Sequence, residues 1–343
     1  MALLDRTEHP IVLAPLAGGP STPELAAAVA DAGGLASLAA GYLAPDALAE
    51  RIARTRELTV HPFAVNLFVP GAPADPAAVD AYAAELAPEA ERLGAGLGTP
   101  RADDDRWYEK LGLLLAEPVG AVSFTFGCPG ASLIDQLHAV GSEVWVTVTS
   151  PTEAEAAVAL GADVLIAQGT EAGGHRGTWR DDAPGASGLG VLALVQLIRA
   201  RTSCPIAAGG GIATGAAIAA VLAAGAQAAV AGTAFLRCPE AGTNAVHRAA
   251  LAGSAPTELT RAYTGRLARG IRTRFMEEHG PTAPSAYPEV HHLTTPLRAA
   301  GREQGDPSVV NLWAGEAYPL AEERPAAEVV ARLASELAVA RAS

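Results

Sequence analysis

The chain has 343 residues, of which 50% are hydrophobic and 5% are aromatic, so it can bury a large core built mainly from small side chains. Its formal net charge of −13 argues against nucleic acid and anionic membranes as partners, because like charges repel. Three cysteines, Cys128, Cys204 and Cys238, are too few for a disulfide framework, and we expect them to be reduced in a cytoplasmic protein.

The amino terminus shows no secretion signal, since the charged residues MALLDRTEHP lead directly into a strand-like run. A later uncharged stretch, residues 216–236, has the length that a membrane helix needs. However, its alanines partition weakly into lipid, and Gly225 and Gln227 divide it. We therefore interpret it as a helix followed by a buried strand.

Short apolar runs recur along the chain, and each is followed by a helix-like segment. Nearly continuous hydrophobic runs are typical of strands buried on both faces of a parallel sheet. Thr22 and Ser150 are predicted to cap the N-termini of helices, because each is followed by a proline and a nearby glutamate. Gly161 and Gly225 are predicted to end helices. Eight such units favour a closed (β/α)8 TIM barrel over a long doubly wound α/β sheet. The predicted strands are residues 11–17, 35–40, 63–68, 121–126, 144–149, 164–168, 205–208 and 227–231.

The chain is predicted to have three parts. Residues 1–237 form the barrel, with extra helices in the long connection over residues 69–120. The strand pattern stops after Leu236, so residues 238–296 are expected to form a smaller, mainly helical cap or substrate domain over the barrel mouth. Residues 297–343 end in an amphipathic helix that is expected to pack back on the barrel.

The informative residues are those at the carboxyl ends of the strands, where barrel enzymes place their active sites. The turn at residues 15–20 is either simply tight or a bare backbone against which a flat ring can lie. Asn66 lies inside the apolar strand FAVNLF, and Gln168 ends the strand VLIAQG. A buried amide must be hydrogen-bonded, either to the backbone or to the edge of a ring that carries donors and acceptors.

The segment EAGGHRG contains His175 directly after the sixth predicted strand. Glycines on both sides are expected to hold His175 on an exposed loop near the barrel mouth. Its near-neutral pKa suits proton transfer or contact with an anion, whereas an isolated histidine is more often structural. We take His175 as the candidate catalytic residue.

Glycine-rich turns follow the last two predicted strands. Residues 209–211 end the seventh strand, and Gly232 and Thr233 follow the eighth. Barrels build phosphate sites from these two loops, because glycines let backbone N–H groups converge on an anion. We therefore predict a phosphate-bearing cofactor. No GxGxxG sequence follows the first strand, so a dinucleotide-binding fold is not indicated.

Two other groups of residues have less specific patterns. His291 and His292 are adjacent and no cysteine pair has ligand spacing, so no metal site is predicted. Five arginines crowd residues 261–274, either as a solvated helix face that balances carboxylates or as a funnel for an anionic substrate. They are Arg261, Arg266, Arg269, Arg272 and Arg274.

Together these stretches resemble the nitronate monooxygenase family, in particular its bacterial class I branch, over nearly the whole chain. AGGHRG is the most specific of them. Leu16 stands where the family commonly has Met, and Cys128 stands where the residue is usually apolar, and both positions bear on the shape of the pocket. The other matching stretches are APLAGGPSTPELAAAVADAGGLASLAAGY, PFAVNLF, VSFTFGCP, DVLIAQGTEAGGHRGTW, PIAAGGGIATG, AVAGTAFL, YTGRLARGIRTRF, YPEVHHLT and NLWAGEAYPL.

The resemblance implies a flavin-binding barrel that uses FMN and O2 to convert alkyl nitronates, the anions of nitroalkanes, into carbonyl compounds and nitrite. It implies that His175 is the active-site histidine, which either removes a proton from a neutral nitroalkane or holds the anionic nitro group. The residues that it places around FMN are Ala14, Pro15, Leu16, Asn66, Gln168, Gly173, Gly174, Gly210, Gly211, Val230, Ala231, Gly232 and Thr233.

Two alternatives remain open at this point. One is a flavin-dependent enoyl-thioester reductase with a nicotinamide donor, which shares the barrel and a similar Gly-Gly-His loop. The other is a non-catalytic protein that retains FMN for its structure. The sequence carries no signal for the physiological nitro compound or for the oligomeric state.

Overall fold

The structure is a computed structural model that describes residues 2–181 and 188–342. Its strands are β1 Ile11–Leu13, β2 Ala36–Ala39, β3 Phe63–Phe68, β4 Ala121–Thr125, β5 Glu143–Val148, β6 Val164–Gln168, β7 Gly174–His175, β8 Ile206–Gly209, β9 Ala228–Ala231, β10 Thr257–Thr260 and β11 Ala268–Ile271. Its helices are α1 Pro23–Asp31, α2 Pro45–Leu58, α3 Pro76–Leu93, α4 Trp107–Ala116, α5 Ala131–Ala139, α6 Pro151–Leu160, α7 Val191–Arg199, α8 Gly215–Ala223, α9 Ala245–Ala250, α10 Arg274–His279, α11 Glu289–Gln304 and α12 Ala326–Ala342.

All eight predicted barrel strands are present and pair in parallel in the order β1-β9-β8-β6-β5-β4-β3-β2. The two end strands meet at a bridge between Val12 and Leu35, where the Leu13 N–H donates to the Leu35 carbonyl at 2.9 Å. The sheet therefore closes, and the predicted (β/α)8 barrel is confirmed. The strands are almost entirely buried, as their apolar sequences require.

The predicted helix signals also behave as expected. The Thr22 hydroxyl accepts from the Leu25 N–H at 3.0 Å, and the Ser150 hydroxyl accepts from the Glu153 N–H at 3.2 Å. Residues 216–236 contain most of α8 and all of β9, which confirms a helix followed by a buried strand. Among the described residues, no helix has both the length and the apolar character to cross a membrane.

The part of the chain after Leu236 corrects one expectation. Strands β10 and β11 pair antiparallel there, and β11 also pairs with β7, so the prediction that strands stop at Leu236 was wrong. Their sequences, TELT and ARGI, lack an apolar run because polar and charged residues interrupt them. β10 and β11 are close together along the chain, whereas β7 lies about 90 residues earlier, and all four residues of β11 are buried.

A second hydrophobic core lies outside the barrel. It packs Tyr82 and Leu86 of α3 against Tyr263, Phe275 and the buried face of α11. Its members range over residues 79–93 and 262–309, so this core draws on all three predicted parts of the chain. The terminal helix α12 packs against α1 and α8, and the Gly215 N–H donates to the Glu336 carboxylate at 2.7 Å.

Candidate active site

A cavity of about 500 Å³ lies at the carboxyl ends of the barrel strands, between the barrel and the second core. This volume falls in the range of small-molecule sites, roughly 300 to 1,000 Å³. Ala231 is not part of its wall, since its side chain is buried in the barrel core. The other sequence-predicted site residues all line the cavity: Ala14, Pro15, Leu16, Asn66, Gln168, Gly173, Gly174, His175, Gly210, Gly211, Val230, Gly232 and Thr233. Leu16 therefore bears on the shape of the cavity, whereas Cys128 does not line it.

One end of the cavity presents free backbone donors. The N–H groups of Gly210, Gly211, Gly232 and Thr233 have no hydrogen-bond partner among the described residues. Gly210 and Gly211 have φ values of 136° and 66°, which residues with a side chain rarely adopt. Because β8 and β9 are neighbours in the barrel, their loops lie side by side. Such a group of converging backbone N–H donors is suited to binding an anionic phosphate.

Asn66 lies on the cavity wall with 2% of its surface exposed. Its Nδ2 donates to the Ser123 carbonyl at 3.2 Å and to the hydroxyls of Ser123 and Thr125, each at 3.0 Å. Its Oδ1 accepts from none of the described residues. The amide is therefore held by neighbours on β4 and leaves one acceptor for a ligand.

Gln168 holds the segment that carries His175. Its Nε2 donates to the His175 carbonyl at 2.9 Å, and its Oε1 accepts from the Gly177 N–H at 2.7 Å. The guanidinium of Arg176, which is fully buried, donates to the same Oε1 at 2.9 Å and to the Gly169 carbonyl at 2.6 Å. Gln168 thus fixes the position of His175, and Arg176 is a supporting residue that the sequence analysis missed.

His175 lies in a two-residue strand, β7, and not on the exposed loop that we predicted. It pairs with Ala268 of β11, which forms part of the small antiparallel sheet. The rings of Phe126, Tyr287 and Trp313 surround its imidazole, with centroids 5.8, 5.7 and 5.6 Å away. Burial lowers the pKa of His175 to about 3, and the nearby positive charges of two arginines add to this effect. His175 is therefore neutral at pH 7.

Nε2 of His175 has the Thr264 hydroxyl as its hydrogen-bond partner. This hydroxyl lies 2.9 Å from Nε2 and 3.2 Å from the Arg266 carbonyl, to which it can donate. When its proton goes to the carbonyl, the hydroxyl accepts from the Nε2–H of the imidazole, and Nδ1 carries the lone pair. Nδ1 has no hydrogen-bond partner among the described residues. The imidazole can accept a proton at Nδ1 while Thr264 holds its other side.

Aromatic and cationic residues to which the sequence analysis assigned no role form another part of the wall, next to His175. The Tyr42 ring stacks on His291 with centroids 4.3 Å apart, and the Tyr287 hydroxyl donates to the Tyr42 hydroxyl at 3.2 Å. Arg298 and Arg302, on the same helix as His291, also line the cavity. Tyr42, Tyr287 and His291 lie in the matching stretches that end in LAAGY and begin YPEVHHLT, whereas Arg298 and Arg302 lie outside the matching stretches.

The five arginines of residues 261–274 do not line the cavity. Arg266 is buried, with its guanidinium 3.9 Å from the centroid of the Phe126 ring. The other four pair with carboxylates, which agrees with the expected charge balance, although Arg269 is buried and does not belong to a solvated face. Part of this segment is strand β11 rather than a helix face. The pairs are Arg261–Asp181 at 2.7 Å, Arg269–Glu316 at 3.2 Å, Arg272–Glu258 at 3.8 Å and Arg274–Glu89 at 2.6 Å.

The fold and the cavity are those of barrel enzymes that act on a small molecule at the carboxyl ends of their strands. The model of the nitronate monooxygenase family matches residues 2–336. A nitronate monooxygenase of Pseudomonas aeruginosa is 42% identical over 344 residues, which cover 96% of each chain. The chain therefore belongs to the nitronate monooxygenase family, a family of oxidoreductases, and the resemblance noted in the sequence is confirmed.

Solved structures agree with this assignment. The nitroalkane oxidase of Streptomyces ansochromogenes is 50% identical, with a TM-score of 0.97 over 99% of both chains. FabK of Thermotoga maritima is less similar, at 26% identity and a TM-score of 0.76 over 99% of this chain and 96% of that one.

The buried histidines predict how stability depends on pH. Burial lowers the pKa of His175 to about 3 and that of His247 to about 4, and it also lowers the pKa of His291. In the unfolded chain these groups titrate near ~6.5. Below that pH the unfolded state binds protons that the folded state does not. The stabilisation is therefore complete above about pH 6.5 and is lost as the pH falls towards the folded pKa values.

We expect the free energy of unfolding, measured in urea between pH 6.5 and pH 5, to fall by up to about 1.4 kcal/mol per pH unit for each of these histidines. His247→Gln removes one of them, so its slope should be smaller by up to that amount. A slope equal to that of the wild type would contradict a lowered pKa at His247.

Proposed function

We propose that the protein oxidises alkyl nitronates to carbonyl compounds and nitrite, with FMN as its resident cofactor and O2 as the electron acceptor. The supporting observation is a single cavity that combines free backbone donors after β8 and β9 with the neutral imidazole of His175. The names of the Pseudomonas and Streptomyces relatives, a nitronate monooxygenase and a nitroalkane oxidase, support the same chemistry.

The residues present fit FMN. The N–H groups of Gly210, Gly211, Gly232 and Thr233 would hold its phosphate, and the bare turn after β1 would lie against its ring. The free Oδ1 of Asn66 would meet a ring N–H. When bound, FMN supplies the electron-transfer chemistry, and the chain binds and orients the substrate.

The chain's own contribution centres on His175 and its aromatic neighbours. Phe126, Tyr287 and Trp313 pack around the imidazole, with ring centroids 5.6 to 5.8 Å from it. With a neutral nitroalkane, Nδ1 of His175 would accept the α-proton while Thr264 keeps Nε2 in place. The negative charge that forms on the substrate would stabilise the imidazolium and raise its pKa. A preformed nitronate has already lost this proton and needs no base.

The first prediction concerns the cofactor. Denatured protein should release FMN and not FAD, since the cradle accommodates one phosphate and the chain lacks a dinucleotide fingerprint. Gly232→Asp places a carboxylate among the phosphate donors, so it should weaken FMN binding while affecting riboflavin, which has no phosphate, much less. Dissociation constants from flavin fluorescence would measure this. Release of FAD, or equal losses for the two flavins, would contradict the assigned cradle.

The second prediction concerns the electron acceptor. With a nitronate as substrate, purified protein should consume O2 and release nitrite without added NADH. An oxygen electrode and a colorimetric nitrite assay would measure both. Consumption of NADH with an enoyl thioester, and none of O2 with the nitronate, would identify the reductase alternative. Inactivity in both assays with FMN bound would support a non-catalytic flavoprotein.

The third prediction concerns His175. His175→Asn keeps a hydrogen-bond donor but loses the titratable nitrogen, and a general base typically contributes about 10²- to 10⁴-fold. Turnover of a neutral nitroalkane should fall by that order, while turnover of the preformed nitronate should be largely retained. Steady-state rates on the two substrate forms would measure this.

Thr264→Val is the matched variant, because it removes the hydroxyl that positions the imidazole and keeps the imidazole itself. It should give a smaller loss on the neutral nitroalkane. Wild-type rates of His175→Asn on both substrates, with normal FMN content, would show that His175 is structural. A parallel loss on the nitronate, through a higher KM, would show that it holds the anion instead.

A further inference from the structure

Arg298 is a buried cation on the cavity wall that has no counter-charge among the described residues. Its side chain is on α11 and is 6% exposed. Among the described residues, no carboxylate lies within ion-pair distance of its guanidinium. This distinguishes it from Arg261, Arg269 and Arg274, which all pair with carboxylates.

The hydrogen bonds of Arg298 fix its guanidinium and leave one nitrogen free. Nε donates to the Thr294 hydroxyl at 3.2 Å, and Nη2 donates to the His291 carbonyl at 2.7 Å and to the Thr295 hydroxyl at 2.8 Å. Nη1 donates to none of the described residues. Because the other nitrogens are held by neutral acceptors on one helix, Nη1 is the donor left for a ligand in the cavity.

The surroundings of Arg298 do not neutralise it. Burial lowers its pKa to about 10, so it is still protonated at pH 7. Its aromatic neighbours include Tyr42 and Tyr287, and burial raises the pKa of both phenols, so neither is an anion. A charge that is buried without a partner is costly unless a ligand pairs with it. The site therefore favours a small anion.

Arg298 lies on the same side of the cavity as His175. The Tyr287 ring contacts both His175 and His291, with centroids 5.7 and 6.3 Å apart, and Arg298 is hydrogen-bonded to His291. Nε2 of His175 is hydrogen-bonded to the Thr264 hydroxyl at 2.9 Å, so it is not free to bind an anion, and as the proposed base His175 presents the lone pair of Nδ1. The guanidinium is thus the available anion-binding group next to the candidate base.

We propose that Arg298 is the specificity-determining residue that binds the nitronate group, with Nη1 donating to an oxygen of the anion. This proposal rests on the proposed function. Every substrate of that class carries a nitronate group, whereas an anionic tail occurs in only some of them. Arg298 would then favour the anionic nitronate over the neutral nitroalkane, and His175 would not be the anion anchor.

The test uses Arg298→Met, which keeps much of the side-chain volume without the charge, and Arg298→Lys, which keeps the charge without the planar fork. Arg272→Met is the matched control, because it removes a surface arginine that pairs with Glu258 outside the cavity. Steady-state kinetics would use propyl-2-nitronate, which has no second charge, and neutral nitroethane as substrate or inhibitor. Calorimetry with inorganic nitrate, a planar anion like the nitro group, gives a readout that needs no turnover.

Loss of a charge-assisted hydrogen bond predicts a KM for propyl-2-nitronate, and a Kd for nitrate, roughly 10- to 100-fold higher in Arg298→Met. Arg298→Lys should lie between this variant and the wild type. Arg272→Met should behave as wild type, and binding of neutral nitroethane should change little. Arg298→Met should also keep its FMN and unfold at or above the wild-type temperature, since replacing an unpaired buried charge is not destabilising.

An unchanged KM for propyl-2-nitronate and an unchanged Kd for nitrate would overturn the proposal. A raised KM confined to a nitronate with a carboxylate tail would show that Arg298 binds the tail instead. Should Arg298→Met fail to fold, Arg298→Lys with wild-type nitrate affinity and KM would contradict the proposal equally. A wild type that binds nitrate through Arg298 but does not oxidise nitronates would overturn the proposed function and leave the anion site standing.

Discussion

The site depends on the hydrogen bonds that Gln168 makes at the end of β6. This one amide binds the His175 carbonyl and the Gly177 N–H, so it ties the barrel to the segment that carries the imidazole. The same segment pairs with β11, which belongs to the antiparallel sheet beyond the barrel. His175 is consequently held from both sides, by a rigid barrel strand and by the sheet next to the second core. A general base must be placed this accurately for proton transfer to be efficient.

Most of the barrel could be predicted because its signals are local. Each strand is a short apolar run. The turns after β8 and β9 contain glycines, and barrels often bind phosphate at these two turns. The second core could not be predicted in this way. Strands β10 and β11 are interrupted by polar and charged residues, and β11 also pairs with β7, which lies about 90 residues earlier in the sequence. Arg298 likewise has no recognisable motif, since its proposed role depends on the lack of a nearby carboxylate in the part of the folded chain that the structure describes.

The charge near the candidate active site has the opposite sign to the net charge of the whole protein. The chain carries a net charge of −13, yet the charged side chains nearest His175 are the guanidinium groups of Arg266 and Arg298. Arg266 lies over the Phe126 ring and donates to backbone carbonyls. These neutral groups stabilise its positive charge without cancelling it. Because both guanidinium groups are buried, their charges are screened less than those of the surface carboxylates. An anionic substrate therefore encounters a positive local field in spite of the acidic surface.

The cavity wall also contains strained backbone, and its supports explain why the strain persists. Phe126 and Tyr42 have φ values of 77° and 67°, a region that bulky residues rarely occupy and that costs on the order of 1–3 kcal/mol each. The Tyr42 N–H donates to the Asp105 carboxylate at 3.1 Å, and Asp105 pairs with the buried Lys110 at 2.8 Å. This ion pair holds the turn that brings the Tyr42 ring against His291. Asp105 and the buried Lys110 thus support part of the aromatic surface of the candidate active site from outside the cavity.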